Sequence, residues 1–156
     1  MGQVINTNAA EIARMLAESG VGVYYQSVVG DNAERLAEAF TSALSRADVV
    51  IACGGLGPTE DDLTRETLAE VVGRPLRRDE EWVGALEERF AHHHSGELPR
   101  NNLRQAMVPE GATLLPNSRG TAPGIYLHYE NVAVYLIPGP PHEMHAMMEE
   151  QVMPHL

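Results

Sequence analysis

The sequence of 156 residues contains no lysine, and all 11 basic residues are arginines. That excludes Schiff-base chemistry on a lysine amine. It also excludes the usual P-loop, in which a lysine reaches the outer phosphates. A single cysteine, Cys53, excludes an intrachain disulfide and a cysteine-based zinc cluster. No apolar run approaches the ~20 residues that a membrane span needs. The first residues, Met1-Gly2-Gln3-Val4-Ile5-Asn6, do not join a basic stretch to an apolar one, so no signal peptide is visible. Asn6 stands where a myristoylation signal has Ser or Thr. The expected location is therefore cytoplasmic. Positive charge is scarce as well: 22 acids face 11 arginines, a formal charge of −11. A nucleic-acid surface needs a basic patch, so that class of partner is disfavoured.

What is present suits a globular domain. The hydrophobic fraction is 44% and the charged fraction 21%, and 156 residues allow one domain, residues 1–156, with a full core. Helical and extended patterns alternate. Ala9, Ile12, Ala13 and Leu16 follow a 3.6-residue period, Asn8 with Glu11 reads as a capping pair, and Gly20 reads as a stop. A β-rich run is expected over 21–29. Asp31 with Glu34 opens a second helix, whose buried stripe is Leu36, Ala37, Phe40 and Leu44. Asp48 to Cys53 reads as a short buried strand of a parallel sheet. A third helix carries Leu68, Val71 and Val72 and ends at Gly73. A fourth starts after Asp79 with Trp82, Leu86 and Phe90 on one face. Asn101 to Met107 reads as a short helix, and Gly124 to Ile137 as a hairpin turning at Glu130-Asn131. Pro138-Gly139-Pro140-Pro141 starts a last helix with Met144, Met147, Met148 and Val152 inward. The alternation implies an α/β fold built from right-handed βαβ units. The first helix begins almost at Met1, whereas a parallel α/β domain normally feeds its first helix from a strand.

The segment from Cys53 to Thr64, Cys-Gly-Gly-Leu-Gly-Pro-Thr-Glu-Asp-Asp-Leu-Thr, lies between the buried strand and the third helix. Glycines let backbone approach a ligand and present N–H groups to it, and a helix N-terminus adds partial positive charge. Gly54, Gly55, Leu56, Gly57, Pro58 and Thr59 could thus hold a phosphate without lysine; the bland alternative is a plain strand-to-helix turn. Glu60, Asp61, Asp62 and Glu66 would repel a phosphate unless a divalent cation lay between them. Their bland alternative is charge balancing at a helix start. The loops Asn117 to Gly124 and Pro138 to Met144 are further candidates, each also readable as turn chemistry. His92, His93 and His94 are consecutive and diverge around a helix axis, which disfavours a metal site. Cys53 reads as a small buried hydrophobe, and Trp82 as a packing anchor.

Ordered matches now cover nearly the full length. They are Gly2 to Asn8, Val28 to Asn32, Gly54 to Thr64, Asn101-Asn102 with Gln105-Ala106, Pro109 to Ala112, Gly120 to Gly124, and Pro138 to Pro141 with Glu143-Met144. In these the chain resembles the N-terminal, molybdopterin-binding-like domain of the competence/damage-inducible protein CinA family. The wider superfamily includes molybdopterin adenylyltransferases, whose phosphate loop spacing Gly54, Gly55, Gly57, Asp62 and Thr64 fit. The resemblance implies a three-layer α/β/α fold with a mainly parallel sheet, and homo-oligomers, dimers or trimers. It implies metal-dependent hydrolysis of ADP-ribose to AMP and ribose 5-phosphate; the family's nicotinamide-mononucleotide deamidase belongs to a separate domain and is not assigned here.

On that resemblance Asp61 and Asp62, with Glu60, would hold Mg²⁺, Mn²⁺ or Co²⁺. Thr64 and Ser118 would bond phosphate oxygens, and Arg119 would offset developing charge. Gly120, Thr121, Gly139, Glu143, Asn8 and Asp31 would border the ligand. Two other functions stay open: a non-catalytic module binding a pterin or nucleotide, and molybdopterin adenylyl transfer. Family members begin with a strand and a Gly-Thr-Glu turn ahead of the Gly-Gln stretch. Here that segment, which would form a central strand, is missing; a truncated start, a further segment or an unusual replacement is expected, and a real absence would leave a central slot empty.

Overall fold

The structure is a computed structural model that describes residues 6–93 and 98–156. Its centre is a mixed sheet in the order β1-β6-β5-β4, with β1 Val49–Cys53, β4 Thr113–Leu115, β5 Gly124–Tyr129 and β6 Val132–Ile137. β1 runs parallel to β6, while β6, β5 and β4 are antiparallel. The β5–β6 pair is the hairpin expected from the alternation of apolar residues. Its turn holds Glu130 at φ 52, within reach of a non-glycine residue only in the left-handed region. A separate two-stranded ribbon pairs β2 (Leu76–Arg78) with β3 (Met107–Pro109).

Alternation along β6 explains the layers. Val132, Val134 and Leu136 face one core, and Ala133, Tyr135 and Ile137 face the other. Successive strand side chains point to opposite faces, so a strand apolar at every position must be covered twice. The first core takes Phe40 from α2 (Ala33–Leu44), and Leu68 and Val72 from α3 (Thr64–Val71) and its end. The second takes Met15 and Leu16 from α1 (Thr7–Glu18). It also takes Met144, Met147, Met148 and Val152 from α5 (Pro141–Met147) and the π-helical turn that continues it. Three layers, helix–sheet–helix, are the result, and the methionine stripe lies inward as its spacing predicts.

Several local readings are corrected. The cap of α1 is Asn6, whose side chain accepts from the Ala9 amide, and not Asn8, whose amide group is engaged elsewhere. The cap of α2 is Asn32, accepting from the Arg35 amide, one residue after Asp31. Asp79 does cap α4 (Glu80–His93), accepting from the Trp82 amide at 2.9 Å. The expected helix near Asn101 is a 3-10 turn over Arg100–Ala106 that runs into β3. The side chains of the His92–His94 run lie outside the described residues.

The largest correction concerns 21–29. This run has no regular secondary structure and joins no sheet among the described residues, and Val23, Tyr24, Tyr25 and Val28 are 39%, 87%, 58% and 79% exposed. β propensity describes a fit to a half-buried pleated surface, and these side chains are largely exposed instead. The Arg46 guanidinium lies 3.8 Å over the Tyr25 ring and gives the run one anchor.

Leu127 and Leu136 are wholly buried on either side of the hairpin. Leu127→Ala or Leu136→Ala is expected to cost ~2–5 kcal/mol in urea unfolding, as for other buried leucines. Val28→Ala, on the exposed run, should stay within ~0.5 kcal/mol.

Candidate functional site

Parallel pairing of β1 with β6 sets Cys53 opposite Ile137, so the loops that follow both strands leave the sheet side by side. The Gly54 amide continues the ladder by donating to the Ile137 carbonyl at 2.9 Å. Gly54 has φ 101, a conformation only glycine adopts readily, and a Cβ on Gly139 would lie 3.3 Å from the Gly54 Cα. Backbone therefore meets backbone where the two loops start. The first helix closes the junction: the Asn8 amide donates to the Gly139 carbonyl at 2.7 Å and to the Cys53 sulfur at 3.4 Å.

Gly55, with φ 70, sits over α3, and its carbonyl accepts from the Thr64 amide. A Cβ there would overlap the Thr64 hydroxyl, which is buried beneath it. Leu56 turns its side chain into the core at 3% exposure, so this residue can serve a ligand through its backbone alone. Thr59 spends its amide and hydroxyl on Asp62 Oδ2, at 2.9 and 2.5 Å. Gly55 and Leu56 are thus the loop amides left between Gly54 and the Asp62 turn.

Burial works against the charged Asp62 carboxylate. The Thr59 hydroxyl, the backbone of Thr59 and Gly57, and the Arg65 charge outweigh it and hold its pKa below the ordinary 3.8. Asp61 is exposed and borders a cavity of about 690 Å³ that also touches Asn8, Cys53, Gly54, Gly55 and Asp31. Glu60 is exposed. Among the described residues no three His, Cys, Asp or Glu side chains are grouped to hold a metal ion.

The loop is shaped from below by two arginines that sequence reasoning passed over. Arg65 is 1% exposed, and its guanidinium donates to the carbonyls of Arg104 and Leu56, the latter at 2.9 Å. Desolvation pulls its pKa down, Glu66 pushes it up, Arg104 pulls it down and Asp62 pushes it up. An arginine stays charged even so. Arg104 donates to the Thr59 carbonyl at 2.6 Å and pairs with Glu66 at 2.9 Å. Guanidinium forks thus hold the carbonyls of Leu56 and Thr59, which turns backbone acceptors of the loop toward cations instead of toward an anion. The place of Arg65 in the Asp62–Glu66 helix start was one signal for it; Arg104, some forty residues away, had none.

The third loop is joined to the second through Glu143. Its Oε2 accepts from Asn117 Nδ2 at 2.7 Å, and a Cβ on Gly120 would overlap its carboxylate. Arg89 from α4 fixes the same loop by donating to the Gly120 carbonyl at 2.5 Å. Thr121 accepts from Gln105 at 3.5 Å. Ser118 and Arg119 are exposed, and the Ser118 hydroxyl is turned to Glu150 at 3.0 Å. The expected reading of Cys53 is corrected here. The residue is exposed at the end of β1, while its sulfur, set between Asn8 and the Pro138 carbonyl, is shielded. Burial pushes the thiol pKa up, with the Asn8 bond opposing, which disfavours the nucleophilic thiolate. A more open hollow of about 780 Å³ along α2 is lined by Ala33, Glu34, Ala37, Glu38, Thr41, Ser42, Ser45 and Glu70, and none of the three loops contributes to it.

Residues 1–156 match the family model described as a probable molybdopterin binding domain. The chain belongs to that family. It is 52% identical over 157 residues to the competence-damage inducible protein of Symbiobacterium thermophilum, which covers all of this chain and 37% of that protein. It is 47% identical over 156 residues to the protein of the same name from Acetivibrio thermocellus, of which it covers 38%. The chain thus spans just over a third of the length of these relatives. Among solved structures, CinA from Thermoplasma acidophilum is similar with a TM-score of 0.91 and 34% identity, over 99% of this chain and 90% of that one. MoaB from Thermus thermophilus, 18% identical with a TM-score of 0.62 over 99% and 82% of the two chains, shares the fold. The α/β class of this molybdopterin-binding-domain chain, with its antiparallel hairpin, is therefore the family's. No helix among the described residues is long and apolar enough to cross a membrane.

Two tests follow from the loop geometry. Arg65→Met keeps bulk but strands the buried carbonyls of Leu56 and Arg104; each orphaned acceptor is expected to cost ~1–3 kcal/mol in thermal or urea unfolding. The Asp62 pKa is depressed on folding. Its contribution is full above the ordinary carboxylate value and is lost as pH falls through the lower folded value. Asp62→Asn should therefore remove part of the acid dependence of unfolding below pH about 4. Parallel melts of both proteins between neutral and acid pH check this, and identical pH slopes would refute it.

Proposed function

We propose that this chain binds a phosphate-bearing nucleotide or pterin where the three loops meet. We further propose that it hydrolyses the diphosphate of ADP-ribose, with a divalent metal ion, to AMP and ribose 5-phosphate in the cytoplasm. The observation that carries the reading is the close approach of Gly54 and Gly139, beside Gly55 and the rim carboxylate Asp61. Small residues let a phosphate come close, and amides accept its charge without lysine.

The donor set fits an ion held jointly by protein and ligand. Asp61 at the rim and Asp62 beside it would supply one or two carboxylates, with Glu60 near, and the ligand's phosphates would supply the rest. When bound, such an ion neutralises diphosphate charge and lowers the pKa of a water. The water oxygen forms a bond to one phosphorus, the bridging P–O bond breaks, and the second phosphate leaves with the electron pair. Thr64 and Ser118 would bond phosphate oxygens and Arg119 would offset charge on the leaving group. Assembly as a homo-oligomer, dimer or trimer, belongs to the same reading. A non-catalytic binding module is the second reading. It is favoured by the engagement of Asp62 with Thr59 and of Ser118 with Glu150.

AMP release from ADP-ribose, measured with and without Mg²⁺, Mn²⁺ or Co²⁺, separates the two. Metal-dependent release is expected, and Asp61→Asn should lower it at least about tenfold, equivalent to ~1.4 kcal/mol of barrier. Binding of ADP-ribose with no release in any of the metals would establish the module instead.

A further inference from the structure

The 3-10 turn Arg100–Ala106 touches two of the three candidate loops, and consecutive residues of it reach in different directions. Arg104 grips the glycine-rich side. Its guanidinium donates to the carbonyls of Thr59 and Asp62, at 2.6 and 3.4 Å, and pairs with Glu66 at 2.9 Å. Arg65 grips the Arg104 carbonyl in return. The Ala106 carbonyl accepts from the Asp79 amide at 2.9 Å, so the end of the turn is fixed as well. Gln105, between these two anchors, reaches the third loop, where its Nε2 donates to the Thr121 hydroxyl. Arg89 and Glu143 tie that loop to α4 and to the second loop. Gln105 ties it to the glycine-rich side.

This tie is poorly satisfied for a buried group. Gln105 is 3% exposed, yet its Oε1 has no hydrogen-bond partner among the described residues, and its bond to Thr121 is 3.5 Å, at the long limit. A buried amide oxygen without a partner is costly, and a methionine would fill similar space without that cost. Two further buried polar atoms without a partner flank the same turn. Glu66 Oε2 belongs to the acid that Arg104 holds, and Trp82 Nε1 to the first turn of α4, whose start is bonded to Ala106. Such groups concentrate where function outranks stability. Hydrogen bonds of catalytic sites are also often long in the free protein and tighten in the complex. We propose that Gln105 is a positioning residue: through Thr121 it holds the third loop at the distance from the glycine-rich loop that a phosphate-bearing ligand requires. Being buried, it touches no ligand itself. The proposal rests on the reading that these loops bind such a ligand.

The test replaces Gln105 by Met and follows three quantities: Tm, backbone order over 117–122 from NMR relaxation of the free protein, and affinity for ADP-ribose with Mg²⁺ by calorimetry. The expected result is an unchanged or raised Tm, since the buried orphan oxygen is gone and the half-buried Thr121 can turn to water. Order parameters over 117–122 should fall from about 0.85 to below about 0.6. Affinity should weaken at least about tenfold. Thr121→Val should reproduce the loss, Thr121→Ser should keep wild-type affinity, and Gln105→Met should add nothing to Thr121→Val. Unchanged loop order in Gln105→Met overturns the proposal, as does full affinity with the loop loosened. A lowered Tm with the loop still ordered assigns Gln105 to core packing and also overturns it, and additive losses in the double variant do the same. If the wild-type chain binds no ADP-ribose, the reading of the ligand fails, and loop order, which needs no ligand, decides on Gln105. Should Gln105→Met not fold, Thr121→Val is set against Thr121→Ser: a loosened loop in the first alone supports the proposal, and equal order in both sinks it.

Discussion

The parallel register of β1 on β6 is the constraint on which the candidate site depends. Cys53 opposite Ile137 means that the glycine-rich loop and the Pro138–Pro141 loop start together at one end of the sheet. The Gly54 amide on the Ile137 carbonyl carries that alignment one step past the strand, and the Gly54–Gly139 contact completes it. A one-residue slip would exchange the two faces of β1 and separate these glycines. The core enforces the register, because Val50 and Ala52 pack toward α2 and α3 while Val49 and Ile51 pack toward α1 and α5.

Electrostatics then shape what the loops can accept. The chain carries −11 overall and puts four acids in the seven residues that follow the glycine loop. Arg65 and Arg104 offset this locally by binding loop carbonyls and Glu66. A lysine would place a mobile point charge at the ligand, whereas these forks act on the backbone and leave the amides to meet the anion. The second and third loops are tied in the same manner, by Arg89 on the Gly120 carbonyl and Glu143 on Asn117. The site is therefore a set of backbone turns held from behind by charged side chains.

Among the described residues β1 pairs on one edge only, and its other edge bears on the same site. Asn8 and Cys53 line the cavity beside that edge and also touch the glycine junction, so the sheet edge and the ligand loops share walls. Asn8 thus bonds both the last residue of β1 and the Pro138–Pro141 loop.

Periodicity and turn chemistry were enough to place α3, α4, the β5–β6 hairpin and the methionine face of α5, because each is set by neighbours close in the chain. The glycine loop was legible for the same reason: it stands between a fully apolar strand and a helix. Within these 156 residues the sequence by itself excluded lysine chemistry and an intrachain disulfide, and it determined the α/β class and the loop most suited to a phosphate. Tertiary structure alone decided the rest. Asn6 rather than Asn8 caps α1 because Asn8 reaches Gly139, 131 residues away. Arg104 supports a loop some forty residues earlier, and Leu56 belongs to the core. The run 21–29 has strand composition but no strand, because pairing depends on a neighbour and not on the residues that would pair.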